Sequence, residues 1–190
     1  MTSNRRNKQR VYAFIDSQNL NVSTQRLGWK MDWHKFRMFL AEKYGVNKAF
    51  MFIGYMPEHE DMYHQLHDTG YAVVLKPIFD MTKPRPEMEA SEKSDNKPED
   101  DKPVKGNIDA DLVLWAMKEI GNYDKAVIVS GDGDFYTLVE YLEEQGKLLK
   151  LLAPNAHYSN LYNRYENFID RLDHQRKQLA YHDRRRRTKK

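Results

Sequence analysis

The chain has 190 residues, a formal net charge of +3 and no cysteine. This length suits one domain with a substantial core, and the composition excludes disulfide bonds, thiol catalysis and a cysteine-based zinc site. No apolar stretch approaches the roughly 18 residues of a membrane span, and no apolar run like that of a secretory signal precedes Val11. We therefore expect a cytoplasmic protein with no membrane partner.

Basic residues concentrate at the two ends of the chain. We predict a basic N-terminal tail over 1–10, a globular domain over 11–180 and a basic C-terminal tail over 181–190. Such tails suit a polyanion such as RNA. The plainer alternative is a solvated tail that only aids solubility.

The first half of the chain alternates apolar runs with helical patterns. Strands are predicted over Val11–Asp16, 49–55 and 71–79 because each is a short, mostly apolar run. Helices are predicted over 32–44, capped by Asp32, and over 57–69. Residues 82–104 are rich in Pro, Glu, Lys, Ser and Asp, which is typical of disorder, and are predicted to form a mobile acidic insertion loop.

The same alternation resumes after this loop. Asn107 is a candidate cap for a helix over 108–120, and a strand over 147–153 follows later. The chain from about 159 reads as helical. Tyr158, Tyr162 and Tyr165 are interpreted as its packing residues, with base stacking on RNA as the alternative. Strands alternating with helices predict an α/β fold with a mostly parallel sheet covered on both faces.

The most informative stretch is 125–140, KAVIVSGDGDFYTLVE. An apolar, β-branched strand runs into a tight turn that carries Asp132 and Asp134, and a helix follows. Its two glycines are expected to take backbone angles that other residues avoid. The turn lies at the carboxyl end of a strand, where open α/β sheets place their sites.

Four acids are predicted to converge at that edge of the sheet. Asp16 ends the first strand, Asp109 lies in the first turn of the helix that leads into the fourth strand, and Asp132 and Asp134 follow that strand. Clustered carboxylates repel one another unless a cation neutralises them, and hard oxygen ligands suit Mg²⁺ or Mn²⁺. Such sites support phosphodiester hydrolysis by activated water. The plainer alternatives are a helix-start acid at Asp109 and helix caps or Asx turns at the last two.

Three segments in this order resemble the signatures of a known family. FIDSQNL (14–20), KGNIDADL (105–112) and VSGDGDF (129–135) are similar to those of NYN-domain, LabA-like proteins, which are predicted or demonstrated ribonucleases of the PIN-like superfamily. The resemblance implies a PIN-like three-layer α/β/α sandwich and metal-dependent cleavage of RNA. It also implies that the family's metal-binding acids are matched by Asp16, Asp109, Asp132 and Asp134.

The resemblance implies roles for three further residues. Asn19 matches an asparagine that could orient Asp16 or a substrate phosphate, and Lys105 matches a lysine suited to phosphate contact. Ser130 matches a small hydroxyl residue at the strand end. Trp115 is a departure, since many relatives carry a further acid there, and a reduced acid set leaves room for weak activity.

Two hypotheses of different classes follow. The first is a ribonuclease that hydrolyses RNA with Mg²⁺- or Mn²⁺-activated water, and the alternative is an RNA-binding or regulatory adaptor with little or no catalysis. Nucleotide enzymes are disfavoured because neither glycine-rich fingerprint is present. A phosphatase is disfavoured because Asp16 is followed by Ser17 and Gln18 rather than by the pattern Asp-x-Asp. A homodimer is left open.

Overall fold

The computed structural model describes residues 9–77 and 108–182. The predicted insertion loop, the Asn107 cap, Lys105 and nearly all of both basic tails lie outside these residues. Among the helices described, none is long and apolar enough to cross a membrane.

Six parallel strands form one sheet with the order β3-β2-β1-β4-β5-β6. The strands are β1 Val11–Asp16, β2 Val46–Tyr55, β3 Tyr71–Pro77, β4 Lys125–Val129, β5 Leu148–Ala153 and β6 Ile169–Arg171. The order reverses direction between β1 and β4, which are neighbours. This is the topological switch point, where ligands bind outside the carboxyl ends of the strands.

Helices and short 3₁₀ segments connect the strands. The α-helices are α1 Ser17–Arg26, α2 Trp33–Tyr44, α3 Glu60–Asp68, α4 Ile108–Lys118, α5 Tyr136–Glu144 and α6 Arg176–Leu179. The 3₁₀ segments are Pro57–His59, Gly133–Phe135, Asn160–Phe168 and Asp173–Gln175. Helix α2 begins and ends as predicted: Asp32 accepts the Lys35 backbone N–H at 3.1 Å, and Gly45 takes a left-handed φ of 69°.

The core lies in two layers, one on each face of the sheet. Ile15 faces the layer under α2, whereas its neighbour Phe14 faces the layer under α4 and α5, because successive side chains of a strand point to opposite faces. Phe14 and Phe50 stack with ring centroids 5.4 Å apart. Burying each such side chain contributes roughly 1.5–3 kcal/mol. The predicted three-layer α/β/α architecture is confirmed.

The segment after β5 differs from the continuous helix predicted from about 159. It forms the 3₁₀ segment Asn160–Phe168, then the short edge strand β6, and only the last turn, α6, is α-helical. Tyr162, Tyr165 and Phe168 recur at intervals of three, which is the 3₁₀ repeat rather than the 3.6-residue α-helical repeat. Tyr162 and Tyr165 are buried, as predicted for packing residues.

Candidate active site at the ends of strands β1 and β4

The sheet brings the end of β1 against the end of β4. Ile15 pairs with Val129, so Asp16 and Ser130 follow side by side at the carboxyl edge. The Ser130 hydroxyl donates a hydrogen bond to Asp16 Oδ2 at 3.1 Å, and both side chains are buried. Two of the predicted site residues are therefore in direct contact.

Asp16 also caps the helix that follows it. Its Oδ1 accepts the backbone N–H of Asn19 at 3.0 Å, which satisfies one of the free N–H groups at the start of α1. The side chain is only 5% exposed. A buried carboxylate with hydrogen bonds to both oxygens is fixed in place.

The charge on Asp16 is unfavourable in this position. Burial raises the pKa of the Asp16 carboxyl, the hydrogen bonds from Asn19 and Ser130 lower it in part, and the nearby charges of Asp109 and Asp132 raise it further. The net pKa is raised. The charges of two other predicted acids therefore act on Asp16.

Side-chain hydrogen bonds hold the acidic turn, which we define as residues 130–134. Asn19 Oδ1 accepts the Gly131 N–H at 3.0 Å, and Ser130 Oγ accepts the Asp132 N–H at 3.1 Å. Asp132 Oδ1 in turn accepts the Asp134 N–H at 3.1 Å, which makes an Asx turn. Asn19 thus holds Asp16 through its backbone and the turn through its side chain.

The expected role of the two glycines in the turn is wrong in its detail. Neither Gly131 nor Gly133 is among the glycines with positive φ. Space is the constraint instead, because a Cβ on Gly133 would lie 2.6 Å from Ser159 Oγ and 3.1 Å from Ser159 Cβ. Glycine therefore allows a neighbouring segment to approach closely.

The other acids lie at the rim of this arrangement. Asp109 is half-buried in the first turn of α4, a helix that packs on β1 and β2, whereas Asp134 is exposed. Asp111, two residues after Asp109, forms an ion pair with Lys76 at the end of β3, with 2.9 Å between Nζ and Oδ2. This contact ties the start of α4 to the sheet.

Trp115, where the family resemblance implies an acid, is half-buried and packs against the core. Its ring lies 5.4 Å from that of Phe50, and the Lys118 ammonium lies 5.0 Å from the Trp115 ring. It therefore packs α4 onto β2.

The donors at this edge fit a hard divalent cation in their chemistry, because they are carboxylate, hydroxyl and amide oxygens. The spacing fits less well. Within residues 9–77 and 108–182, no group of three or more histidine, cysteine or acidic side chains is placed to hold an ion.

One residue at this site was not anticipated in its role. The Tyr162 hydroxyl donates a hydrogen bond to the backbone carbonyl of Asp132. The tyrosine pattern at 158, 162 and 165 indicated packing or base stacking, and gave no sign of a contact to the turn. The glycines at 131 and 133 were the available sign that another segment packs against the turn.

A cavity of about 310 Å³ lies beside the edge strand β6. Arg171, His174 and Tyr158 are among its lining residues, and none of the four acids lines it. Tyr158 also borders the acidic turn, since a Cβ on Gly131 would lie 3.4 Å from its Cβ. The candidate site is therefore defined by the four carboxylates and lies apart from this cavity.

Comparison with known proteins agrees with the fold and the motifs. The NYN domain profile matches residues 10–173. The chain is 23% identical over 169 residues to the low amplitude and bright protein LabA of Synechococcus elongatus, covering 86% of this chain and 84% of that protein. A crystal structure of a protein of unknown function from Vibrio parahaemolyticus superposes with a TM-score of 0.68 at 20% identity, covering 95% of this chain and 100% of the other. NYN domains have a PIN-like, nuclease-type fold and are generally ribonucleases. The chain is a LabA-like member of the NYN domain family.

Proposed function

We propose that this protein is a metal-dependent ribonuclease in which Mg²⁺ or Mn²⁺ is held by Asp16, Asp109, Asp132 and Asp134. The observation that carries the proposal is the buried Asp16 carboxyl, whose pKa is raised by burial and by the charges of Asp109 and Asp132. Acids with perturbed pKa values concentrate at functional sites. Membership of a family of ribonucleases supplies the substrate class.

A cation would relieve the repulsion that the carboxylates experience. When bound at such a site, a divalent ion activates water for attack on phosphorus and stabilises the leaving oxygen. The chain's own residues hold the acids in place: Ser130 and Asn19 fix Asp16, and Asn19 also fixes the acidic turn. No side-chain nucleophile is required.

Substrate contacts are the second part of the proposal. Lys105 is proposed to contact a phosphate, and the basic tails over 1–10 and 181–190 are proposed to add salt-sensitive, sequence-independent affinity for RNA. A cytoplasmic location and a homodimer are likewise predictions for the intact protein.

An RNA-binding adaptor with little catalysis is the second candidate. Two observations favour it: no group of three or more acidic side chains in the described residues is placed to hold an ion, and Trp115 packs against the core where the resemblance implies a further acid. An adaptor would bind RNA at the same edge of the sheet and leave it intact.

Cleavage of labelled single-stranded RNA separates the two functions. We expect cleavage with Mn²⁺, loss of cleavage with EDTA, and a rate at least about 100-fold lower for Asp132→Asn. Asp68→Asn, at an exposed acid at the end of α3, is the matched control and should cleave normally. Intact RNA with salt-sensitive binding would establish the adaptor instead. Cleavage that survives both EDTA and Asp132→Asn would contradict the proposed site.

A further inference from the structure

We propose that residues 159–162, named here the 159–162 clamp, fix the acidic turn in its working position, and that Tyr162 is the main positioning residue. The proposed effect of the clamp on the position of the turn depends only on the described contacts. The effect on metal affinity rests on the proposed function.

The clamp contacts the turn at three consecutive residues. The Ser159 N–H donates to the Gly131 carbonyl at 3.0 Å, and the Tyr162 hydroxyl donates to the Asp132 carbonyl. Ser159 also packs so closely on Gly133 that only a glycine fits there without displacement. The clamp therefore holds the backbone on both sides of the Asp132 side chain.

These contacts complement those made from the other side. Asn19 and Ser130 bind the N–H groups of the turn, whereas the clamp binds two of its carbonyl groups. Each carbonyl is bound by a group that lies 28 or more positions away in sequence. The turn is thus held between α1 and the segment after β5. Both sets of contacts are needed to bind the peptide group between Gly131 and Asp132 at its carbonyl and at its N–H.

Tyr162 is placed to act through Asp132. Its side chain is fully buried, so the hydrogen bond forms without competition from water. Burial raises the pKa of the Tyr162 phenol, and the charges of Asp132 and Asp134 raise it further. The hydroxyl stays protonated and remains a donor at physiological pH.

A second buried tyrosine in the same 3₁₀ segment provides the control. Tyr165 is 2% exposed, and its hydroxyl makes no hydrogen bond to the acidic turn. Tyr165→Phe therefore removes the same atom from the same segment without removing a contact to the turn.

Amide hydrogen exchange of metal-free protein tests the clamp directly. In Tyr162→Phe, we expect the Asp132 and Asp134 amides to exchange roughly 10-fold faster than in wild type, as the loss of one hydrogen bond allows. Tyr165→Phe should leave both rates unchanged. Unchanged rates in Tyr162→Phe, or equal increases in both variants, would overturn the proposal.

Titration with Mn²⁺ alone tests the link to the metal site. Tyr162→Phe should weaken Mn²⁺ binding about 3- to 10-fold, and Tyr165→Phe should not. Unaltered Mn²⁺ affinity in Tyr162→Phe would overturn this link. If wild type binds no Mn²⁺, the proposed function fails, while the exchange rates still decide the clamp.

A second variant covers the case in which Tyr162→Phe does not fold. Ser159→Ala removes the hydroxyl that accepts the Leu161 N–H at 3.4 Å and so loosens the start of the clamp. We expect the same two amides to exchange about 3-fold faster. Wild-type rates in this variant would count against the clamp.

Discussion

Asp16 makes contacts that stabilise the fold, but its buried charge destabilises it. Its carboxylate caps α1 and accepts a hydrogen bond from Ser130, yet burial and two neighbouring acids raise its pKa. A raised pKa means that the folded state prefers the protonated acid. The contribution of the protonated Asp16 carboxyl to the free energy of unfolding is thus fully present below the unfolded pKa of about 3.9. It is lost as pH rises through the folded pKa.

Replacing this charge should stabilise the metal-free protein. Asp16→Asn keeps an oxygen that can cap α1 and removes the repulsion from Asp109 and Asp132, so we expect a gain of about 1 kcal/mol at pH 7, or roughly 3 °C in Tm. Urea and thermal unfolding measure both quantities. Asp68→Asn, at an exposed acid, should change stability by less than about 0.5 kcal/mol.

The same variant should lose the stabilisation that a cation gives. Added Mn²⁺ should raise the Tm of wild type and leave that of Asp16→Asn nearly unchanged, because the ion binds only the folded site. A marked loss of stability in Asp16→Asn would show that the charge itself supports the fold, contrary to the raised pKa.

Among the elements, the acidic turn depends on the absence of a side chain at position 133. Gly133→Ala should cost about 1 kcal/mol, because its Cβ would meet Ser159 and Leu161 and push the 159–162 clamp away. Gly121→Ala is the matched control, since nothing lies within 4 Å of its added Cβ. Chemical unfolding of both variants measures the difference. Equal stabilities would mean that Ser159 moves aside at no cost.

Most elements of the fold were predictable because their patterns are local. Apolar runs identified the first five strands, and Asp32 with Gly45 marked the ends of α2. Strand β6 was missed because Ile169–Arg171 is three half-buried residues at the sheet edge, and the apolar spacing before it resembles that of a helix. Its register depends on pairing with β5, which the local pattern does not encode.

The candidate site was predictable only to the extent that topology determines it. Asp16 and the acidic turn meet because β1 and β4 are neighbours at the switch point, as expected for a doubly wound sheet. The contact from Tyr162 was not predictable, since it depends on the path of the 3₁₀ segment after β5. Long-range contacts of this kind leave no periodic signal in the sequence.

Across the whole molecule, contacts distant in sequence join the first described residues to the sheet. Arg10 forms an ion pair with Asp124 at the start of β4, with 2.8 Å between the guanidinium and Oδ1, and its backbone N–H donates to the same carboxylate. Arg10, assigned from sequence to the basic tail, thus contacts the folded domain. These hydrogen bonds lower the pKa of Asp124 to about 2.

The lowered pKa predicts a specific response to acid. The stabilisation that the Arg10–Asp124 pair gives the fold is present above the unfolded pKa of about 3.9 and is lost as pH falls towards 2. In Arg10→Gln, the pKa of Asp124 should return towards its ordinary value, and stability should fall less steeply between pH 4 and pH 2. An NMR titration of Asp124, with urea unfolding at both pH values, measures this. In the control variant Arg26→Gln, Asp124 should titrate as in wild type. An unaltered Asp124 pKa in Arg10→Gln would show that Arg10 is not the cause of the lowered pKa.

Acids from β1, α4 and the acidic turn are proposed to form one cation site. Anomalous diffraction from crystals soaked in Mn²⁺ tests it most directly. We predict a peak between the carboxylates of Asp16 and Asp132 in wild type and no peak there in Asp132→Asn. A wild-type crystal with no peak at this edge, or with its peak bound by other residues, would contradict the account.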